Sequence, residues 1–164
     1  MSHPNANLLR PALLPVWLGV FVLWLLHWLP LPLQAAIGNS LGWLVALFPS
    51  KRRRVGATNL ALCFPGVPKS LRRRWLRQTF QASVRAALEY GILWWGSEAR
   101  VRRLVRTDNP EAARGDGVRP VIWLAPHFVG LDMGGSRIIT EWQGISVYSQ
   151  QKNPVFDRVL LHGR

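Results

Sequence analysis

An uncharged apolar run near the N-terminus, Ala12 to Leu33, constrains the fold of this chain more than any other feature. A helix needs about 20 apolar residues to cross the hydrocarbon core of a bilayer, and this run is long enough. Pro30 and Pro32 stand near its end. A cleaved signal peptide is the competing interpretation, and Gln34-Ala35-Ala36 resembles a cleavage site, but its apolar region would be shorter. The run therefore predicts an uncleaved transmembrane helix.

A second apolar stretch, Ala35 to Phe48, is interrupted by small and polar residues and predicts an interfacial or partly buried helix. The basic run Lys51 to Arg54 follows it, whereas only Arg10 precedes the first apolar run. Cytoplasmic flanks of membrane helices carry the excess of Lys and Arg. We therefore expect a single-pass protein with everything after residue 50 on the cytoplasmic side.

The middle of the chain is strongly basic, and the formal net charge of the whole sequence is +13. Apolar residues recur every three or four positions from Lys69 to Trp95, which predicts a basic amphipathic helix, and a second short helix is expected from Ser97 to Val105. Such a basic helix is either a solvated face or an attachment to anionic lipid. No nucleic-acid-binding signature accompanies the charge, so we expect no nucleic acid partner.

The lone cysteine, Cys63, excludes an internal disulfide and a cysteine-cluster metal site. Free cysteine is among the most buried residue types, so Cys63 is expected to be a small buried apolar residue. Neither a metal nor a cofactor is predicted. A reducing compartment is consistent with this cysteine content.

A short apolar run, Val121 to Ala125, follows a polar stretch expected to be a loop, Asp108 to Pro120. Short apolar runs bounded by turn residues predict a strand buried on both faces of an α/β sheet. Pro126 ends the run and His127 follows at once. Ligands of open α/β sheets bind at the carboxyl ends of the strands, so His127 is a candidate for chemistry.

Asp132 lies five residues after His127, and within one regular helix the two side chains would not share a face. They can meet if His127 lies in a turn and Asp132 in the first turn of the next helix, a course that Gly130 permits. A carboxylate can then orient the imidazole, whose other nitrogen takes a proton from a hydroxyl. Ser136 is the only serine or cysteine nearby, so direct attack by a substrate hydroxyl on an activated acyl group is the simplest chemistry. Many His-x4-Asp pairs are structural, so the pair alone does not establish a catalytic function.

Four segments together resemble the late acyltransferases of lipid A biosynthesis, the lauroyl/myristoyl transferase family. They occur in the family's order and cover nearly the whole chain. The segments are Arg54 to Pro65 with its Cys-Phe-Pro ending, the helix through Glu89 and Trp94-Trp95, Pro126-His-Phe-Val-Gly-Leu-Asp132, and Val147 through Asn153-Pro154 and Phe156-Asp157-Arg158 to Arg164.

This resemblance implies transfer of a fatty acyl chain from acyl carrier protein to a hydroxyl of a phosphorylated lipid A precursor, at the cytoplasmic face of the bacterial inner membrane. It implies His127 as general base and Asp132 as its orienting partner. Arg164 falls at a family arginine associated with the active site, and it is a weaker candidate for contacting phosphate or the carbonyl oxygen. Lys152 and Arg158 are weaker candidates for contacting lipid phosphate, and ordinary surface charge is an equal alternative for both.

The expected fold is α/β: an N-terminal transmembrane helix followed by the first part of an α/β acyltransferase domain of the His-x4-Asp type. Composition divides the chain into a membrane anchor with an interfacial helix (1–50), a basic membrane-proximal region (51–106) and the start of the acyltransferase domain (107–164). The family's later Arg-Glu-Gly-like and Phe-Phe-Gly-x-x-Ala motifs are not found. We expect the C-terminal part of the domain to be missing and this chain alone to be inactive or poorly folded.

Two other functions are compatible with parts of the sequence. A glycerolipid acyltransferase would use the same His-x4-Asp pair on a lysophospholipid, although the segment ending in Cys63-Phe-Pro argues against it. A non-catalytic, membrane-anchored basic module would use only the residues from Lys51 to Arg106. Neither alternative requires a cofactor.

Overall fold

The computed structural model describes residues 8–115, 119–147 and 149–163. In this part of the chain the fold consists of helices and irregular segments. A 3-10 turn at Pro11–Leu13 precedes eight α-helices: α1 (Leu14–Leu26), α2 (Leu31–Leu47), α3 (Lys51–Cys63), α4 (Lys69–Trp95), α5 (Glu98–Leu104), α6 (Pro110–Arg114), α7 (Leu131–Ile139) and α8 (Pro154–Gly163).

The chain divides into two compact units. The central unit is Leu29–Glu89, and the split unit combines Met1–Trp28 with Tyr90–Arg164. Helix α4 therefore contributes residues to both units. The three-part division predicted at residues 50 and 106 rests on composition and stays a prediction.

The first apolar run does not form one continuous helix, so the expectation of a single helix over Ala12–Leu33 is wrong. Helix α1 ends at Leu26, and α2 begins at Leu31 with Pro30 as its N-cap. Proline lacks the N–H that an ongoing helix requires, and it disfavours helical geometry in the residue before it. By length and composition, no single helix among the described residues could span a membrane, but α2 and α3 together, bent by 90°, meet both criteria.

Helix α2 packs closely on α4 within the central unit. A Cβ at Gly42 would lie 2.4 Å from the Cα of Gln81, a distance that no real side chain tolerates. Gln81 also donates from Nε2 to the carbonyl oxygen of Asn39 at 3.2 Å. The helix predicted in Ala35–Phe48 is thus confirmed, and the glycine that interrupts its apolar pattern is the residue that lets the two backbones approach.

Helices α3 and α4 form a hairpin in the central unit. The Ser50 hydroxyl accepts a hydrogen bond from the backbone N–H of Arg53 at 3.2 Å and caps the start of α3. At the other end, Arg72 donates to the carbonyl oxygen of Phe64 at 3.0 Å, and the Phe64 ring meets Trp75 edge-on. Cys63 is exposed, contrary to the expectation of a buried thiol, because no residue of α3 is buried.

The predicted helices in the basic middle are confirmed. Helix α4 occupies Lys69–Trp95, and α5 occupies Glu98–Leu104 with the Ser97 hydroxyl as its N-cap. In the split unit, α1 contacts α8 and α5 contacts α7. Ile92 of α4 and Val155 of α8 are fully buried.

The strand expected at Val121–Ala125 is not formed, and the described residues contain no strand. Ile122 and Leu124 in this segment are each 94% exposed, so the run lies on the surface in irregular conformation. A strand needs a neighbouring strand for its backbone hydrogen bonds, and the described residues supply none. The loop expected at Asp108–Pro120 contains a short helix, α6, which begins after Asn109.

Candidate active site

His127 lies in the exposed irregular segment that precedes α7. His127 is the central residue of a tight turn, in which the N–H of Phe128 donates to the carbonyl oxygen of Pro126 at 2.7 Å. A second turn follows, in which the N–H of Leu131 donates to the carbonyl oxygen of Phe128 at 3.2 Å. Solvent and substrate therefore have access to this imidazole. The placement in a turn agrees with the sequence-based prediction, but the strand expected to end just before His127 is not formed in the described part of the chain.

Asp132 is the second residue of α7 and is half-buried. The N-cap before it, Gly130, has φ +95°, a left-handed conformation that favours glycine. This turn allows the chain to change direction between the His127 segment and the helix. At the start of a helix, a carboxylate also lies near the positive end of the helix dipole.

The Tyr90 hydroxyl donates a hydrogen bond to Oδ2 of Asp132 at 2.5 Å. This O···O distance is typical of a hydroxyl donating to a carboxylate, one of the stronger hydrogen bonds in proteins. The Tyr90 ring lies 5.3 Å from the Trp94 ring and 6.4 Å from the Phe156 ring, centroid to centroid. Helix α4, through Tyr90, thus contributes to the orientation of the Asp132 carboxylate, and the ring contacts with Trp94 and Phe156 hold Tyr90 in place.

His127 makes no hydrogen bond to Asp132 in the described part of the structure. The two residues occupy the consecutive segments that the sequence predicts, a turn and the first helical turn after it. Sequence reasoning missed Tyr90, because it lies 42 residues before Asp132 and outside the apolar series of α4. His127 and Asp132 therefore lie on consecutive segments, and Tyr90 is one partner of the carboxylate.

Arg137 holds the C-terminal end of α7. Its Nε donates to the carbonyl oxygen of Val105 at 3.0 Å, and its guanidinium pairs with Glu141 at 2.6 Å. The hydrogen bond from Arg137 lowers the pKa of Glu141, assisted by the charges of Arg137 and Arg102 and opposed by desolvation. Arg102 in turn donates to the carbonyl oxygen of Thr140. Arg102, predicted only as part of the basic middle, and Arg137, which lies outside that region, thus connect α5 and α7 and hold the helix that carries Asp132.

The other predicted site residues lie around α8. Lys152 precedes this helix and Arg158 lies on it, and both are exposed. Arg164 lies outside the described residues. Asp157 is 1% exposed and its Oδ1 accepts from the N–H of Gln151 at 2.7 Å, so it orders the loop before α8. The structure therefore leaves Lys152 and Arg158 open to solvent.

Comparison with known proteins places this chain in a class of acyltransferases. Residues 1–164 match the family described as bacterial lipid A biosynthesis acyltransferase, and the chain belongs to this family.

Curated relatives agree with this assignment. The chain is 31% identical over 98% of its length to the lipid A biosynthesis lauroyltransferase of Escherichia coli K12, of which it covers 53%. It is 28% identical over 98% of its length to the lipid A biosynthesis palmitoleoyltransferase of the same organism, again covering 53% of that protein. A lipid A biosynthesis acyltransferase of Haemophilus influenzae is 28% identical, with 96% of this chain and 51% of the relative covered. The chain thus spans about half the length of these relatives, and no solved structure matches it.

Proposed function

We propose that this chain supplies the general base of an acyltransferase that moves a fatty acyl chain from acyl carrier protein to a hydroxyl of a phosphorylated lipid A precursor. The observation that supports this most directly is the placement of Asp132 in the first turn of α7, held by Tyr90, five residues after the exposed His127. Family membership supplies the reaction class.

The proposed reaction is a single acyl transfer. One imidazole nitrogen of His127 takes the proton of the acceptor hydroxyl, whose oxygen attacks the thioester carbonyl carbon. The C–O bond forms, the C–S bond breaks, and the leaving thiolate takes a proton from the imidazolium. Asp132 accepts a hydrogen bond from the other imidazole nitrogen and stabilises the imidazolium. Backbone N–H groups at the start of α7 are placed to stabilise the oxyanion.

His127 and Asp132 need to come together for this mechanism. Catalytic hydrogen bonds of substrate-free enzymes are often incomplete and tighten only when substrate binds. The exposed position of His127 leaves its side chain free to turn towards α7, whereas the Tyr90 hydroxyl already orients Asp132. We therefore assign Tyr90 as a positioning residue for the carboxylate.

The charge of the chain and its exposed apolar surface support the proposed acceptor and the proposed attachment to a membrane. The net charge of +13 favours a phosphorylated substrate and anionic lipid. Helix α1 exposes Leu18 by 64% and Phe21 by 53%, which supports attachment to the cytoplasmic face of the bacterial inner membrane. Lys152, Arg158 and Arg164 are the proposed contacts to the acceptor's phosphate.

We further propose that the 164-residue chain alone does not catalyse acyl transfer. Ile122, Leu124, Ile145 and Val147 are 94% to 103% exposed, so two apolar segments on either side of α7 lack the packing partners that an acyl-binding pocket requires. The test is acyl transfer by the purified chain, measured beside the longest polypeptide that carries this sequence. Turnover by the 164-residue chain at the same rate would contradict this proposal.

The central experiment measures transfer of a labelled acyl group from acyl carrier protein to the phosphorylated lipid acceptor by that longest polypeptide. His127→Ala is expected to lower kcat by about 100-fold or more, the usual contribution of a general base. His162→Ala is the matched control, because His162 is an exposed histidine of α8 outside the proposed machinery. Membrane association is expected to stay unchanged in both variants, and full transfer by His127→Ala would remove this residue from its proposed role.

A further inference from the structure

A cleft of about 280 Å³ lies between α3 and the beginning of α4, within the central unit. Its polar lining consists entirely of cationic side chains: Arg53 and Arg54 of α3 and Lys69, Arg72 and Arg73 of α4. These residues recur at helical spacing, so each helix turns one face towards the cleft. The cleft therefore concentrates positive charge at one place on the hairpin.

No carboxylate lies in the lining of this cleft. The first acidic residue of the whole sequence is Glu89, so α3 and the turn that joins it to α4 contain none. One of the five cations, Arg72, has a structural role because it donates to the carbonyl oxygen of Phe64. The remaining four repel one another, and an anion in the cleft would relieve that repulsion.

The rest of the lining is apolar. Ala57, Leu60 and Ala61 of α3 and Leu76 of α4 lie between the cations. A ligand matching this surface carries an anionic group joined directly to a hydrocarbon part. The volume is slightly below the range of complete small-molecule pockets, which fits a head group and the first carbons attached to it rather than a whole lipid.

We propose that this cleft binds the phosphate group of a lipid, with the carbons next to the phosphate resting on the apolar floor. One part of this inference, the choice of a lipid phosphate over other anions, rests on the proposed function. Four of the five cations are arginines, whose planar guanidinium groups bind phosphate through paired hydrogen bonds. The phosphate can come from a bilayer phospholipid or from the acceptor, and both sources share this chemistry.

Other polyanions fit the cleft less well. Proteins that bind single-stranded nucleic acid stack bases on aromatic side chains, and the lining contains none. A helix of an acidic protein is about 10 Å or more across, so we expect it to contact the exposed cations outside the cleft as well as those inside it. Arg52, Arg74 and Arg77 are such cations on the same two helices.

The experiment compares two triple variants of the full chain in neutral maltoside micelles. R53Q/R54Q/R73Q removes three positive charges from the cleft, and R52Q/R74Q/R77Q removes three from the same helices outside it. Both leave Arg72 in place, and glutamine preserves helix propensity. Affinity is measured for micelles that contain phosphatidic acid, with phosphatidylcholine as the uncharged reference, and circular dichroism verifies folding.

We expect the cleft variant to lose roughly 100-fold in affinity for phosphatidic acid, since each basic residue at a lipid surface contributes about fivefold. The control variant is expected to lose clearly less. Ala57→Phe, which fills the cleft without changing charge, is expected to weaken binding as well. Equal loss in the two triple variants, or unchanged binding by Ala57→Phe, would overturn the proposal.

Two further arms separate the possible origins of a failure. His127→Ala is expected to bind phosphatidic acid like the wild type, because binding requires no turnover. If the phosphorylated acceptor displaces phosphatidic acid, the cleft binds the phosphate of the substrate. If it does not, the cleft binds the phosphate of a bilayer lipid. Either result supports a lipid phosphate site. Selective loss of binding to an oligonucleotide or an acidic protein by the cleft variant, with lipid binding intact, contradicts it.

Discussion

Replacing Tyr90 by phenylalanine tests the most specific contact in the candidate site. The change removes one hydroxyl and with it the 2.5 Å hydrogen bond to Asp132, while the ring that contacts Trp94 and Phe156 stays in place. A hydrogen bond to a charged group contributes about 1.5–3 kcal/mol. If the transition state loses all of this, kcat falls roughly 10-fold to 160-fold.

The lower part of this range is expected, because Asp132 is only half-buried and water can replace part of the lost bond. The assay is acyl transfer by the longest polypeptide that carries this sequence, with kcat and KM determined separately. A positioning role predicts a fall in kcat at nearly constant KM, since in that role the hydroxyl acts on Asp132 and not on the substrate. The free energy of unfolding is expected to fall by about 1 kcal/mol.

Trp94→Phe is the matched control for this prediction. It disturbs the same aromatic cluster, in which Trp94 is 8% exposed, but it leaves the hydroxyl of Tyr90 intact. We expect Trp94→Phe to lower stability and to leave kcat near the wild-type value. A wild-type kcat in Tyr90→Phe, or an equal loss in Trp94→Phe, would refute the assignment of the hydrogen bond as the cause.

Three other predictions follow from packing and charge. Gly42→Ala is expected to lower the free energy of unfolding by roughly 1–3 kcal/mol, since its Cβ would lie 2.4 Å from the backbone of α4. Gly19→Ala is the control and should not destabilise the chain, because a Cβ at position 19 has no atom within 4 Å. Thermal unfolding in detergent distinguishes the two variants. Arg137 lowers the pKa of Glu141, so this pair stabilises the fold above the unfolded pKa of about 4.3 and loses its effect as the pH falls through the lower folded pKa. Glu141→Gln should therefore flatten the acid limb of a plot of Tm against pH, and an unchanged limb would contradict the pairing. Ile122→Ser should change the free energy of unfolding of the 164-residue chain by about 0.5 kcal/mol or less, because Ile122 is 94% exposed, and a larger loss in chemical denaturation would show that it is packed.

The interpretation of the basic middle changes once individual contacts are considered. Sequence periodicity predicts its helices correctly, but it treats the arginines as a single charged surface. In the structure Arg100 donates to the carbonyl oxygen of His27, and Arg102 donates to that of Thr140. Both therefore connect segments far apart in the chain, while Arg53, Arg54 and Arg73 line the cleft between α3 and α4. Of these arginines, only those that line the cleft belong to the proposed lipid phosphate site.

Local sequence by itself determined the helices and the turn before Asp132. Helix hydrogen bonds join residues four apart, so the apolar spacing of α4, the caps of α3 and α5 and the glycine at position 130 carry sufficient information. The break after α1 is also local, because it follows from Pro30, although the length of the apolar run hides it.

Tertiary structure decided what the sequence pattern does not contain. Tyr90 reaches Asp132 across 42 residues, and α4 approaches α2 where Gly42 has no side chain. The segment Val121–Ala125 has the composition of a strand, yet a strand exists only when another segment satisfies its backbone N–H and C=O groups. Contacts between distant segments thus determine the orientation of the candidate carboxylate and the exposure of the apolar segment before His127, because neither depends on neighbours in sequence.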